Sequence, residues 1–214
     1  MKKALSLLLG ILLSCSVFAQ PKINVGVTAS GGLGHYSYSS HNIEINYFSG
    51  TVYQTGIVAE LVLNKEYSIR LAGTYISNGN TSTVMLRDAN GVEQGAYTSR
   101  DHLIANTIDM GVRYTLPFNN FRLVPGVGFS FGSAYQIHSK ITELNREFTF
   151  AFEDSRFNYL SGYLECLAQF DLNREIVLNA GLSGNLGLFK FDDDILLNAP
   201  HNIQLKVEVL YRLN

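Results

Sequence analysis

The 214-residue chain has no tryptophan, two cysteines, four prolines and only 16% charged residues, and each shortage excludes something. An average soluble domain carries ~25% charged residues, so the deficit argues against an ordinary water-facing surface. Of the thiols, Cys15 falls in an apolar leader. That leaves Cys166 without an intramolecular disulfide partner. No Cys/His cluster has the spacing of a structural zinc site, and no cofactor is expected. After the leader, no apolar run approaches the ~20 residues of a spanning helix. A basic excess is also missing: the 16 Lys and Arg, less Lys2 and Lys3, face 18 Asp and Glu, a net charge of −4. Nucleic acid is therefore not an expected partner, since it selects a basic patch.

What is present begins with Met1-Lys2-Lys3, an apolar stretch from Ala4 to Leu13, and Val17-Phe18-Ala19 before Gln20. A basic start, a short apolar run and small residues near the cleavage position make a secretory signal peptide over 1–19. A second reading takes Leu12-Leu13-Ser14-Cys15 as a lipoprotein signal acylated at Cys15. Residues 20–214 form one domain, with most of the chain's 12 Tyr and 13 Phe. A chain rich in aromatics, poor in charge and lacking spanning helices fits a membrane β-barrel, and a soluble β-sandwich shares that composition.

Period-two alternation separates the two. Tyr53, Thr55, Ile57, Ala59, Leu61 and Leu63 alternate with Gln54, Gly56, Val58, Glu60 and Val62. Past Asn64-Lys65-Glu66 the pattern resumes, with Ile69 and Leu71 on one face and Ser68 and Arg70 on the other. A turn centred on Lys65 sets Glu60 opposite Arg70 and predicts that the two pair. Ile203, Leu205, Val207, Val209, Tyr211 and Leu213 alternate with Asn202, Gln204, Lys206, Glu208, Leu210 and Arg212. Residues 103–116 and 121–135 make a second hairpin around Pro117-Phe118-Asn119-Asn120, and residues 158–188 a third around Asn173-Arg174-Glu175. Leu63-Asn64-Lys65-Glu66 and Leu172-Asn173-Arg174-Glu175 look like one hairpin used twice, by internal repetition or by convergence on one turn. The first strand, from Ile23 to Leu33, is diluted by Gly26, Gly31 and Gly32.

Three connections are short, near Lys65, Asn119 and Arg174, and four are long, over 34–50, 79–101, 136–157 and 189–200. Short turns on one side and long loops on the other are the organisation of outer-membrane barrels, and a sandwich has no reason to sort its loops this way. The expected fold is all-β: an eight-stranded antiparallel up-and-down transmembrane barrel with both termini in the periplasm. With Val209-Leu210-Tyr211-Arg212-Leu213-Asn214 closing the last strand, the chain resembles the small outer-membrane β-barrel family of the OmpA/OmpX type. That resemblance implies a monomer in outer-membrane lipid and lipopolysaccharide, inserted by the barrel-assembly machinery. The terminal strand departs from the family pattern by ending in Asn214 rather than an aromatic residue.

Three sets of candidate residues follow. The alternation points Glu60, Arg70, Asp109, Arg113, Arg122, Glu165, Lys206, Glu208 and Arg212 inward, where an eight-stranded barrel is just wide enough for side chains to fill. Buried charges must pair, so an ion-paired plug is expected, with a narrow porin-like channel as the alternative. The second set lies in a loop hairpin around Asn90-Gly91, whose arms carry Val84, Leu86 and Tyr97. With a similar hairpin around Asn145-Arg146, it extends the wall outside the bilayer as a sheet able to meet an extracellular protein ligand. The third set, His35-Tyr36-Ser37 with Glu44 and His138-Ser139 with Glu143, has the residue types of a lipid A-modifying acyl hydrolase. Loop composition accounts for both combinations. The expected role is non-enzymatic, in envelope structure or surface interaction.

Overall fold

The computed structural model describes residues 22–35, 45–87, 93–143, 146–152, 157–191 and 201–213. The expected signal peptide lies outside them. Eight strands form the wall: β1 (Lys22–His35), β2 (Ile45–Val62), β3 (Tyr67–Arg87), β4 (Glu93–Tyr114), β5 (Arg122–Glu143), β6 (Phe157–Asp171), β7 (Ile176–Lys190) and β8 (His201–Leu213). Every strand pairs antiparallel with its neighbours in sequence, and β1 pairs with β8 from Ile23↔Leu213 to His35↔His201. The sheet is therefore closed, with no edge at membrane depth. Two further segments do not add wall strands. Leu116–Pro117 continues β4 and pairs with Arg122 and Leu123, while Arg146–Phe152 pairs with the upper arm of β5.

The distribution of side chains inverts that of a soluble protein. Ile57, Leu205 and Ile203 are 71%, 70% and 68% exposed, in a belt that also holds Leu71, Met110, Phe129, Leu164 and Leu182. Glu60, Arg70, Asp109, Arg113, Glu165 and Glu208 are buried. Period two puts successive side chains on opposite faces, so a strand that is apolar outward is polar inward, and only a lipid exterior makes that arrangement favourable. Aromatic pairs edge the belt near the short turns: Tyr67–Tyr114 at 5.0 Å, Phe118–Phe121 at 5.1 Å and Phe121–Phe170 at 6.1 Å between centroids.

Two of the three short turns are built by asparagine, and the third is closed by the Phe118 amide donating to the Phe121 carbonyl at 2.9 Å. The Asn64 Oδ1 accepts from the amides of Glu66 and Tyr67, both at 2.8 Å, and the Asn173 Oδ1 accepts from those of Glu175 and Ile176 at 2.8 and 2.7 Å. The side-chain acceptor mimics a backbone carbonyl and so closes the turn locally. The likeness extends outward. The Glu66 carbonyl accepts from the Thr115 amide at 2.6 Å, and the Glu175 carbonyl from the Arg212 amide at 2.8 Å.

At the seam, two of the three glycines that dilute the β1 pattern have a structural role. A Cβ on Gly26 would overlap the Val209 carbonyl oxygen and lie 2.9 Å from the Leu210 Cα. One on Gly32 would overlap the Ile203 carbonyl oxygen and lie 2.7 Å from the Gln204 Cα. The backbones of β1 and β8 approach so closely there that no other residue fits.

β3 and β4 run 21 and 22 residues, whereas a tilted spanning strand needs ~9–11. Their ladder continues to Arg87↔Glu93, so the expected loop hairpin extends the wall. The second hairpin pairs Glu143 with Arg146, one residue before the turn position expected from the sequence.

Candidate functional site

The lumen holds a charge network to which every strand contributes. Arg113 of β4 is at its centre, with 0% side-chain exposure. Its Nε donates to Glu165 Oε1 at 2.7 Å and its Nη2 to Glu208 Oε2 at 2.7 Å, and its Nη1 lies 3.6 Å from Glu60 Oε1. Arg70 of β3 donates from Nε to Glu208 Oε1 at 3.0 Å and places Nη1 3.6 Å from Asp109. Its guanidinium sits 5.8 Å from the centroid of the Tyr163 ring. Lys206 of β8 bonds Glu165 at 2.8 Å and lies 3.3 Å from Glu208. Neutral residues add further hydrogen bonds to the carboxylates. Asn24 of β1 and Ser68 donate to Glu60 at 2.9 and 2.7 Å, Ser130 of β5 to Asp109 at 2.6 Å, and Asn179 of β7 to Glu208 at 3.2 Å.

Room for this network comes from glycine on β5. Gly126 is the register partner of Glu165 and Gly128 that of Tyr163. A Cβ on Gly126 would lie 2.8 Å from Glu165 Oε1, and one on Gly128 2.6 Å from a Tyr163 ring carbon. Small residues on one strand thus admit large ones from the next, as a narrow barrel interior requires.

Of the nine charged residues expected inside, seven meet in this network. Arg122 and Arg212 do not: their side chains are 32% and 27% exposed at the periplasmic mouth, where both donate through Nη2 to one oxygen of Asp171. The expected Glu60–Arg70 pair is corrected as well. The two are register partners, yet among the described residues Glu60 takes Arg113, and Arg70 takes Glu208 and Asp109. In a narrow lumen long side chains converge on the axis. Reach across the barrel therefore selects the partner over adjacency in the ladder. Asp171, Asn24, Ser130 and Asn179 were not among the residues singled out from sequence, although each has the inward parity of its strand.

On the outside, Val84 pairs with Tyr97 and Leu86 with Gly95 along the projecting β3–β4 ladder, whereas Asn90 and Gly91 lie outside the described residues. Ser37 and Glu44 also lie outside them, and His138, Ser139 and Glu143 fall in the upper arm of β5. His138 is the register partner of His102. His102 Nε2 lies 2.7 Å from Ser77 Oγ on the exposed face, a Ser–His contact that sequence reasoning missed. No group of His, Cys, Asp and Glu among the described residues is arranged to hold a metal ion.

This geometry is that of a small bacterial outer-membrane β-barrel, closed, apolar outside and charged within. No protein-family model matches the sequence, and no curated protein does. Among solved structures the chain is similar to the outer membrane protease OmpT from Escherichia coli, at 7% identity and a TM-score of 0.50, covering 93% of this chain and 100% of that one. It is similar to Neisserial surface protein A at 13% identity and a TM-score of 0.45, covering 88% and 97% of the two chains. It is also similar to Ail, the attachment invasion locus protein of Yersinia pestis, at 8% identity and a TM-score of 0.41, covering 91% and 100%. At these identities the likeness is one of fold.

Proposed function

We propose that the chain is a non-enzymatic outer-membrane protein of 20–214, exported by a signal peptide over 1–19, that acts through the sheet it raises above the bilayer. The observation behind this reading is the order of that sheet. Ile45–Phe48 pairs with Thr81–Val84, residues 81–87 pair with residues 93–100, residues 98–103 with 137–142, and Ile137–Glu143 with Arg146–Phe152. Among the described residues, Arg146–Phe152 has no partner on its other side, and β1 reaches only as far as Gly50 on β2. Edges that no described residue covers offer N–H and C=O groups, which an extended segment of another protein completes as an added strand. The lumen supports the same assignment, because conduction would require Arg113 to separate from three carboxylates. Catalysis gains little support. The Ser77–His102 contact has no orienting carboxylate among the described residues, and a nucleophile–base pair depends on one.

The test deletes residues 83–98. Ser82 and Ser99 are register partners, so an inserted Asn-Gly turn closes the shortened hairpin. The variant should keep the heat-modifiable gel shift of a folded barrel and lose binding to purified lipopolysaccharide and adhesion of expressing cells to protein-coated surfaces. Normal adhesion and lipopolysaccharide binding both by this folded variant and by one lacking residues 146–152, which carry the other open edge, would refute the surface reading.

A further inference from the structure

The periplasmic mouth opens into a cavity of about 510 Å³ whose floor includes Asn24, Glu60 and Ser68. A volume of that order accepts a small organic anion. The cations around it are Lys22, Lys65, Arg122, Arg174 and Arg212, and the carboxylates are Glu60 and Asp171. Glu60 is already engaged by Asn24, Ser68 and Arg113 in the network above. Among the described residues lining the cavity, Asp171 alone therefore faces five cations, in a chain whose overall charge is negative. Glu66 and Glu175 belong to the adjoining turns but do not line the cavity.

We propose that this mouth binds a small phosphate-bearing anion. The geometry that supports the proposal is the convergence of Arg122 and Arg212 on a single oxygen, Asp171 Oδ1. Two guanidiniums aimed at one oxygen make an oxyanion position, and the Asp171 carboxylate stands in for the ligand's phosphate oxygen. Planar guanidiniums match phosphate through paired N–H donors. Arg212 is held in that pose by a second bond, from Nη1 to the Arg174 carbonyl at 3.2 Å. Lys22, Lys65 and Arg174 have no carboxylate in salt-bridge contact among the described residues, so their charge is available to the rest of the anion. The same chemistry is offered by a free phosphorylated solute and by an anionic lipid headgroup of the inner leaflet.

The experiment titrates inorganic pyrophosphate into the folded barrel in a phosphate-free detergent at low salt, reading saturation by phosphorus NMR. Saturable binding is expected, weakened about tenfold in Lys65→Gln/Arg174→Gln, whose exposed turn positions leave folding intact. Asp171→Asn releases both guanidiniums and should tighten binding several-fold, an effect that a merely structural bridge would not give. No saturation up to about 10 mM, equal affinity in the turn variant, or failure of Asp171→Asn to tighten binding would each overturn the site. Nanodiscs distinguish the sources. Competition by phosphatidylglycerol supports the site with a headgroup as its occupant, and pyrophosphate affinity unchanged by that lipid supports it with a free solute.

Discussion

Replacing Arg113 by Met removes the charged centre of the lumen network while keeping the unbranched stem of the side chain. In the intact network three cations, Arg70, Arg113 and Lys206, face four carboxylates, Glu60, Asp109, Glu165 and Glu208. The variant leaves two cations against the same four. Glu165 keeps Lys206, and Glu208 keeps Arg70 and Lys206, but Glu60 retains only Asn24 and Ser68. Removing one partner of a buried ion pair costs about 3–5 kcal/mol, because the other charge stays desolvated and uncompensated. Here three carboxylates lose a partner, while the desolvation of the guanidinium itself is relieved, so the estimate stays in that range. With a urea dependence of about 2 kcal/mol per M, the unfolding midpoint should fall by about 2 M. The chain has no tryptophan, so the heat-modifiable gel shift across a urea series replaces tryptophan fluorescence as the assay.

A second substitution, Glu208→Gln, makes a double-mutant cycle with Arg113→Met. Combined with Arg113→Met it leaves two cations and three carboxylates, restoring the net charge of the intact network. The two costs should therefore fall short of additivity by about 1–3 kcal/mol. A midpoint for Arg113→Met within error of the unsubstituted protein would refute the reasoning. So would additive costs, since the network would then be two independent solvated contacts.

Two further outcomes follow from the wall. Gly26→Ala should impair closure, leaving a larger unfolded fraction on the gel after refolding into vesicles, because the new methyl meets backbone atoms of Val209 and Leu210; refolding equal to the unsubstituted protein would contradict the close β1–β8 approach. Cys166, exposed on the belt with Pro125 and Leu182 as register partners, should resist a charged maleimide in intact membranes and react once detergent-denatured; rapid labelling in membranes would place it outside the apolar belt.

The barrel was legible because a membrane wall forces one rule onto every strand. Exposed and buried positions alternate from Ile203 to Tyr211, and the same parity places Lys206 and Glu208 inside, with the apolar Leu210 beside them. Asn64 and Asn173 mark turns whose geometry depends on a side-chain oxygen, which a sequence displays directly. β1 was less legible for a physical reason. Gly26 and Gly32 weaken its pattern because the seam admits no Cβ there, and a requirement for close approach reads in sequence as an absence of pattern. The ion-pair partners were illegible for another. Register fixes which residues are adjacent in the ladder, but Arg70 bridges to Glu208, 138 residues away, across the lumen.

Parity carries a face and omits a depth, and the depth was recoverable. Arg122, Arg212 and Asp171 share the inward parity of Arg113 and Glu165. Each also lies beside a short turn or a strand end: Arg122 follows Phe121, Asp171 precedes Leu172, and Arg212 is next to the end of β8. A side chain one residue from a periplasmic turn points into the mouth, where water screens its charge and a long guanidinium need not reach the axis. A side chain several residues further along the strand has no water to meet and must find a counter-charge across the lumen. Counting residues from Lys65, Asn119, Arg174 and the end of β8 therefore divides the inward charges into a deep set and a rim set. The deep set is closed on itself by Arg113. The rim set, in which one aspartate serves two arginines and three more cations stand nearby, is the part of the interior still able to take a ligand.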